Sequence, residues 1–205
     1  MFQVDQPKVS AIALGSPEGT KWVALLAIVS AQQHFYKMGD ALVSLQRDGA
    51  QAWCLYGPKR AGWAWLETKA TYLWAQISEW NEVGNLDPEL VLSELLKVPG
   101  MGMVKAGFFA QMTLGVTGCL DSHNMERLGF HPRTIRWPSS AGPSGKALAI
   151  RRYLAAVSEA GGSEVLWNDW CRDMARRHPT RFADAQVVSA YHHRALPLRD
   201  KPRST

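Results

Sequence analysis

The chain has 205 residues, 46% of them hydrophobic and 20% charged, with a formal net charge of +5. That length and apolar content suffice for a buried core, and the composition excludes a disordered polyelectrolyte. No run approaches the ~20 consecutive apolar residues of a membrane span, and the start of the chain lacks the basic-then-apolar order of a signal peptide, so a cytoplasmic protein with no membrane partner is expected.

After a short N-terminal arm, Thr20 is read as the cap of a helix. Trp22, Leu25, Leu26 and Val29 recur at helical spacing, and the helix is expected to continue to His34. A second amphipathic piece spans 38–47, with Met38, Leu42 and Leu45 on one face. Gly57-Pro58 then breaks the chain, and residues 63–80 read as a further helix. Asp87-Pro88-Glu89 combines an acidic cap, a proline at the first helical position and a carboxylate near the positive end of the dipole, so a helix is predicted from there to Pro99. Another helix starts at Met103 and ends at Gly115 and Gly118. Residues 131–145 form a turn-rich connection, followed by helices over 146–160 and 163–177 and a loose basic tail over 201–205. No segment alternates convincingly as a strand, and the fold class is therefore all-α.

Cys54, Cys119 and Cys171 are odd in number, far apart and without C-x-x-C spacing, which argues against a disulfide framework and a cysteine metal cluster. His192-His193-Arg194 lacks a third ligand at metal spacing and reads as a surface turn. Most of the nine tryptophans fall in helix-like segments, Trp167 and Trp170 among them, and are assigned to packing. Charge is uneven: residues 1–130 carry 10 Lys and Arg against 12 Asp and Glu, while residues 131–205 carry 13 against 6. Arg133, Arg136, Arg151, Arg152, Arg172, Arg176, Arg177 and Arg181 are thus either a phosphate-facing surface or a set of solvated helix faces.

The most informative stretch is Val98-Pro99-Gly100-Met101-Gly102-Met103-Val104-Lys105-Ala106, with Asp121 following in Cys119-Leu120-Asp121-Ser122-His123-Asn124. A Pro-Gly-x-Gly turn between two apolar helices exposes backbone N–H groups at a helix start, which suits a phosphate. Gly100 and Gly102 permit the tight turn, and Pro99 removes a donor that would lack a partner. A carboxylate just beyond the second helix suits proton transfer, though a carboxylate there also caps a helix.

The order helix, hairpin, helix, Gly-rich turn, Leu120-Asp121-Ser122-His123 resembles the helix-hairpin-helix superfamily of DNA glycosylases, whose hairpin reads Leu-Pro-Gly-Val-Gly and whose catalytic Asp lies in a Val-Asp-x-His context. Leu25-Leu26-Ala27-Ile28-Val29-Ser30-Ala31-Gln32 is similar to that family's Leu-Leu-Ser-Ala-Gln segment, and Lys69-Ala70 to its Lys-Ala. The resemblance covers residues 20–130, with the hairpin at 98–103, within a single 1–205 domain whose basic helical part spans 131–200. It implies two helical lobes around a cleft, double-stranded DNA as partner, base flipping, and Asp121 as the catalytic carboxylate. Pro99, Gly100, Gly102, Val104 and Lys105 would contact the DNA backbone, beside a bound monovalent cation and with no other cofactor. Gln32 would fill the gap left by an extruded base or, alternatively, be a buried side chain bonded to backbone. His123 and Asn124 would either position the Asp121 loop or meet the substrate. Lys105 would add charge at the phosphate or be a solvated helix residue.

Three departures narrow the activity. Bifunctional members carry their Schiff-base Lys two residues after the second hairpin Gly, where this chain has Val104, so lyase chemistry is not expected. Only Cys171 lies where some members hold an iron–sulfur loop. The segments Lys105-Ala106-Gly107-Phe108-Phe109 and Gly118 to Asn124 look more like a phage branch of the superfamily that acts in thymidine hypermodification. That resemblance implies an amino acid:DNA transferase, which joins a free amino acid, such as glycine, to phosphorylated 5-hydroxymethyluracil in DNA within the host cytoplasm. A monofunctional DNA glycosylase and a non-catalytic DNA-binding module remain alternatives.

Overall fold

The structure is a computed structural model in which residues 6–30, 38–84 and 86–177 are described; Gln32, Arg181 and His192-His193-Arg194 lie outside them. Among the described residues the chain is helical throughout, without a strand. Its helices are α1 (Gln6–Gly15), α2 (Pro17–Val29), α3 (Met38–Asp48), α4 (Pro58–Val83), α5 (Pro88–Leu95), α6 (Met103–Leu114), α7 (Ser122–Leu128), α8 (Pro143–Glu159) and α9 (Gly162–Arg177). The helical class matches expectation.

Helix α2 is the axis of the packing. Every residue from Trp22 to Val29 is buried, so the helix is apolar all round, as a core helix must be. Helices α1, α3, α4 and α6 pack around it, α5 leans on α6 and α8, and α8 carries α9. Helix α8 presents Ala149, Ile150, Tyr153, Ala156 and Val157, an i, i+3, i+4 stripe, to the interior.

Helix α2 starts earlier than the apolar spacing indicates. Ser16 is its cap: the hydroxyl accepts a 3.0 Å hydrogen bond from the Gly19 amide, and Pro17 occupies the first helical position. The expected cap, Thr20, is buried instead and donates to Ala13 O at 2.6 Å, which ties α1 to α2. The expected N-terminal arm is helix α1. Only Val9 and Ala13 of α1 are buried, too few for a periodic signal. The helix is held instead by Gln6, which donates to Met112 O at 3.2 Å, and by Ser10, which donates to Thr113 O; together they satisfy carbonyls at the C-terminal end of α6.

Helix α5 begins as predicted, with Asp87 accepting from the Glu89 amide at 2.9 Å. The chain then turns through Leu96–Gly102, closed by hydrogen bonds from Val98 N to Leu95 O and from Met101 N to Val98 O, both 3.1 Å. Val98, Met101 and Met103 are buried and staple the turn to the core. Gly100 sits at φ 79°, and a Cβ on it would lie 2.6 Å from the carbonyl oxygen of Pro58, so the turn rests directly on the start of α4. Replacing Gly100 with Ala combines a left-handed backbone with a backbone clash. We expect Gly100→Ala to destabilise the fold by about 2 kcal/mol or more in urea titrations, whereas a change below about 0.5 kcal/mol would contradict this seating.

Candidate functional site

Between α6 and α7 the chain does not wander. Gly115, left-handed at φ 68°, ends α6, and Thr117 follows at φ 53°. For a β-branched side chain that conformation is strained by about 1–2 kcal/mol and persists only when its surroundings enforce it. They do. The Tyr153 hydroxyl donates to Gly118 O at 2.6 Å and accepts from Leu120 N at 3.1 Å. Gln111 accepts from Cys119 N at 3.1 Å and donates to Ser163 O at 2.8 Å. Asn124 donates to Cys119 O at 2.8 Å. Tyr153 is fully buried, which pushes its phenol well above its ordinary pKa and keeps it a neutral donor and acceptor.

The loop runs back along α6: a Cβ on Gly107 would meet Tyr153 Oη at 2.3 Å and Gly118 O at 2.6 Å. Gly107 is five residues from the hairpin glycine Gly102, only about 7.5 Å along the axis, so the loop leading to Asp121 returns toward the hairpin. Gly102 caps α6 and is exposed. The amides of Lys105 and Ala106 both bond to Gly102 O at 2.9 Å, and those of Met103 and Val104 have no acceptor among the described residues. The hairpin therefore leaves two unbonded amides at the positive end of a twelve-residue helix, next to the exposed Gly102.

Asp121 caps α7. Its Oδ1 accepts from Asn124 N at 2.8 Å and its Oδ2 from Trp170 Nε1 at 3.1 Å. Burial raises its pKa above the usual aspartate value, partly offset by the Asn124 amide, His123, the Trp170 indole and Arg127. A carboxylate has four lone-pair sites, so two hydrogen bonds leave each oxygen able to accept once more. Trp170 is itself stacked on Trp167, with ring centroids 5.4 Å apart and planes 6° from parallel.

Helices α7 and α9 are joined by a ladder of polar contacts around this carboxylate. His123 Nε2 lies 2.7 Å from Asp173 Oδ2, and Arg127 Nη1 lies 3.3 Å from Asp169 Oδ2. Each rung repeats after one helical turn on both sides.

The structure bears on several expected roles. Asn124 is buried, its amide group donating to Cys119 O and accepting from Arg127, which fits the first of its two readings, a side chain that positions the Asp121 loop. Lys105 turns inward, donating to Ile28 O at 3.0 Å, rather than standing at the hairpin corner. Within the basic C-terminal part, Arg172 and Arg177 pair with Asp169 and Asp173 at 2.9 Å each, and Arg151 approaches Glu89 at 3.9 Å. Arg133, Arg136, Arg152 and Arg176 are exposed with no ion pair among the described residues. Trp170, Tyr153 and Gln111 are the site residues that the one-dimensional pattern does not single out.

The chain matches no protein-family model, no curated protein and no solved structure.

Tyr153→Phe leaves the Gly118 carbonyl and the Leu120 N–H buried without a partner. We expect a loss of about 1–3 kcal/mol of stability by denaturant titration. An unchanged midpoint would mean that the hydroxyl does not clamp the loop.

Proposed function

We propose that this chain is a DNA base-modifying enzyme with a helix-hairpin-helix glycosylase-like arrangement, in which two helical lobes flank a cleft and Asp121 acts on a base flipped out of the duplex. The observation that carries the reading is a partly buried carboxylate on a loop that is fixed by Tyr153, Gln111 and Asn124 and returns along α6 toward the exposed hairpin glycine Gly102. A loop that only capped a seven-residue helix would not require three buried side chains and a strained threonine to hold it. The corner formed by Gly100, Gly102 and Val104 suits a DNA phosphate, with Pro99 setting the turn and a monovalent cation as its companion. Exposed Arg133, Arg136, Arg152 and Arg176 add the positive charge that a duplex attracts.

The reaction that fits best is amino acid transfer to a phosphorylated 5-hydroxymethyluracil in double-stranded DNA. The amino acid arrives as an ammonium. Asp121 accepts one of its protons, the freed nitrogen lone pair attacks the exocyclic methylene carbon, and the carbon–oxygen bond to the phosphate breaks, the phosphate departing with that electron pair. The secondary ammonium then releases its extra proton to water. A carboxylate with a raised pKa is better matched to this proton transfer than an ordinary aspartate. His123, held against Asp173, would orient the Asp121 turn from one side and Trp170 from the other.

The test is to incubate the protein with DNA bearing 5-phosphomethyluracil and a mixture of amino acids, then digest to nucleosides for mass spectrometry. A nucleoside heavier by one amino acid residue is expected. Free base with abasic sites would instead identify a glycosylase, and DNA binding without any product a non-catalytic module. Asp121→Asn is expected to lower turnover about 10²- to 10⁴-fold while DNA affinity stays within a few-fold.

The pH profile gives a second check. Activity that needs ionised Asp121 declines as pH falls through its folded-state pKa, which burial has raised, so the acid limb should sit above that of an exposed aspartate. The Trp170 hydrogen bond favours the ionised form and lowers this pKa, so Trp170→Phe should move the limb to still higher pH. A limb that stays in place in that variant would remove Trp170 from the tuning of Asp121.

A further inference from the structure

From Arg127 to Ser158 the chain carries six Lys or Arg and no Asp or Glu. Two of the six are answered from other helices, Arg127 by Asp169 at 3.3 Å and Arg151 by Glu89 at 3.9 Å. Arg133, Arg136, Lys146 and Arg152 have no ion pair among the described residues.

Three of these four gather at the N-terminal end of α8. Pro132–Ile135 is a single 3₁₀ turn, closed by hydrogen bonds from Thr134 N to His131 O at 2.9 Å and from Arg136 N to Arg133 O at 3.3 Å. Side chains three apart eclipse in such a turn, so Arg133 and Arg136 stand on the same side. Both are exposed, while Ile135 and Trp137 pack against the core and hold the turn down. The turn packs on α8, and Lys146, the fourth residue of α8, lies 5.9 Å from the centroid of the Trp137 ring. The connection between them is itself hydrogen-bonded, Ser139 N donating to Trp137 O at 3.1 Å, Ala141 N to Pro138 O at 2.9 Å and Lys146 N to Gly142 O at 3.1 Å. Ser139, Ser140 and Ser144 are exposed along it.

This is the chemistry of a phosphate-contacting surface. A guanidinium offers a planar pair of donors that matches phosphate oxygens, and serine hydroxyls are further donors to a nucleic-acid backbone. No aromatic side chain is exposed between Arg127 and Ser158, so unpaired bases have no platform to stack on, which favours a duplex over a single strand. The stretch also lacks Asn, Gln, Asp and Glu, the side chains that read adenine and cytosine edges, which favours contact with the backbone over readout of bases.

We propose that Arg133, Arg136 and Lys146 form a second duplex-contacting surface, on elements other than the hairpin, that holds the phosphate backbone independently of sequence. It rests on the reading of DNA as the partner, and on neither the transferase reaction nor Asp121. Each phosphate neutralised there releases counterions and adds affinity, so the duplex is held at two places.

The test uses the full chain and an unmodified duplex of arbitrary sequence, with affinity measured by fluorescence anisotropy from about 50 to 200 mM salt. Each phosphate contact contributes about 0.9 to the slope of log K against log salt. Arg133→Ala combined with Arg136→Ala is therefore expected to flatten that slope by about two and to weaken binding about 10- to 100-fold near 0.1 M salt. Both side chains are exposed and unpaired, so the variant is expected to keep the wild-type melting temperature. Lys69→Ala, which removes an exposed charge on α4, is expected to leave the slope in place. An unchanged slope in the double variant overturns the proposal while leaving DNA as the partner. A wild-type chain without affinity for the duplex at the lowest salt overturns both. Flattening by Lys69→Ala as large as that per arginine would show a response to net charge alone, and equal affinity and slope for polyglutamate would assign the surface to an acidic polypeptide; either result overturns the proposal.

Discussion

Three consecutive residues, Gly118 to Leu120, have their backbone polar groups held by side chains from three other helices, and the position of Asp121 follows from that restraint. One phenolic oxygen does the central part, giving its proton to Gly118 O and taking one from Leu120 N. A phenol serves both bonds only while neutral, and complete burial keeps it so. The same hydroxyl explains why residue 107 is glycine, since any side chain there would occupy the space of the Tyr153 oxygen and the Gly118 carbonyl. Helix α6, helix α8 and the loop are thereby fixed to one another at a single point. The left-handed Thr117 is the strain that this restraint sustains, an unfavourable backbone conformation kept where it turns the chain back along α6.

Charge in the C-terminal part is arranged for two purposes. Asp169 and Asp173, one turn apart on α9, each engage a basic group on α7 and another on their own helix: Arg127 and Arg172 for the first, His123 and Arg177 for the second. These carboxylates neutralise Arg127, Arg172 and Arg177 and tie α7 to α9 on the flank of Asp121. Arg133, Arg136, Arg152 and Arg176, with no such partners among the described residues, remain to set the sign of the surface field. The positive balance of residues 131–205 therefore overstates what is available to a polyanion, because part of it is internal cement.

How much was legible in one dimension depends on how local the cause is. The start of α5 is fixed by Asp87-Pro88-Glu89, a cap and its own first turn, and reads correctly from the residues alone. The hairpin is nearly as local, since Gly100 and Gly102 announce both the left-handed residue and the open helix end. Helix α1 is the opposite case. Its stability lies in Gln6 and Ser10 reaching carbonyls more than a hundred residues away, and two buried side chains leave no periodicity to find. Asp121 stands out through its motif, but of the partners that orient it Trp170 lies 49 residues from Asp121 and the Tyr153 clamp 33 residues from Leu120, and they carry no sequence mark beyond being aromatic. Lys105 was legible as a cation and not as a direction: its backbone belongs to the hairpin helix, while its ammonium belongs to the end of α2.

That direction changes the electrostatics of the site. Burial acts on both titratable groups in the sense that disfavours charge, raising Asp121 and lowering Lys105. Each is thus displaced toward neutral pH from opposite sides, and moving a proton onto one or off the other is easier than it would be for the same side chains in water. A direct ion pair between them would reverse this, driving the carboxylate down and the amine up. The neutral Cys119 thiol lies between their fields. Gln111, Asn124 and Tyr153 fix the backbone on either side of the thiol, and with it the carboxylate two residues further on.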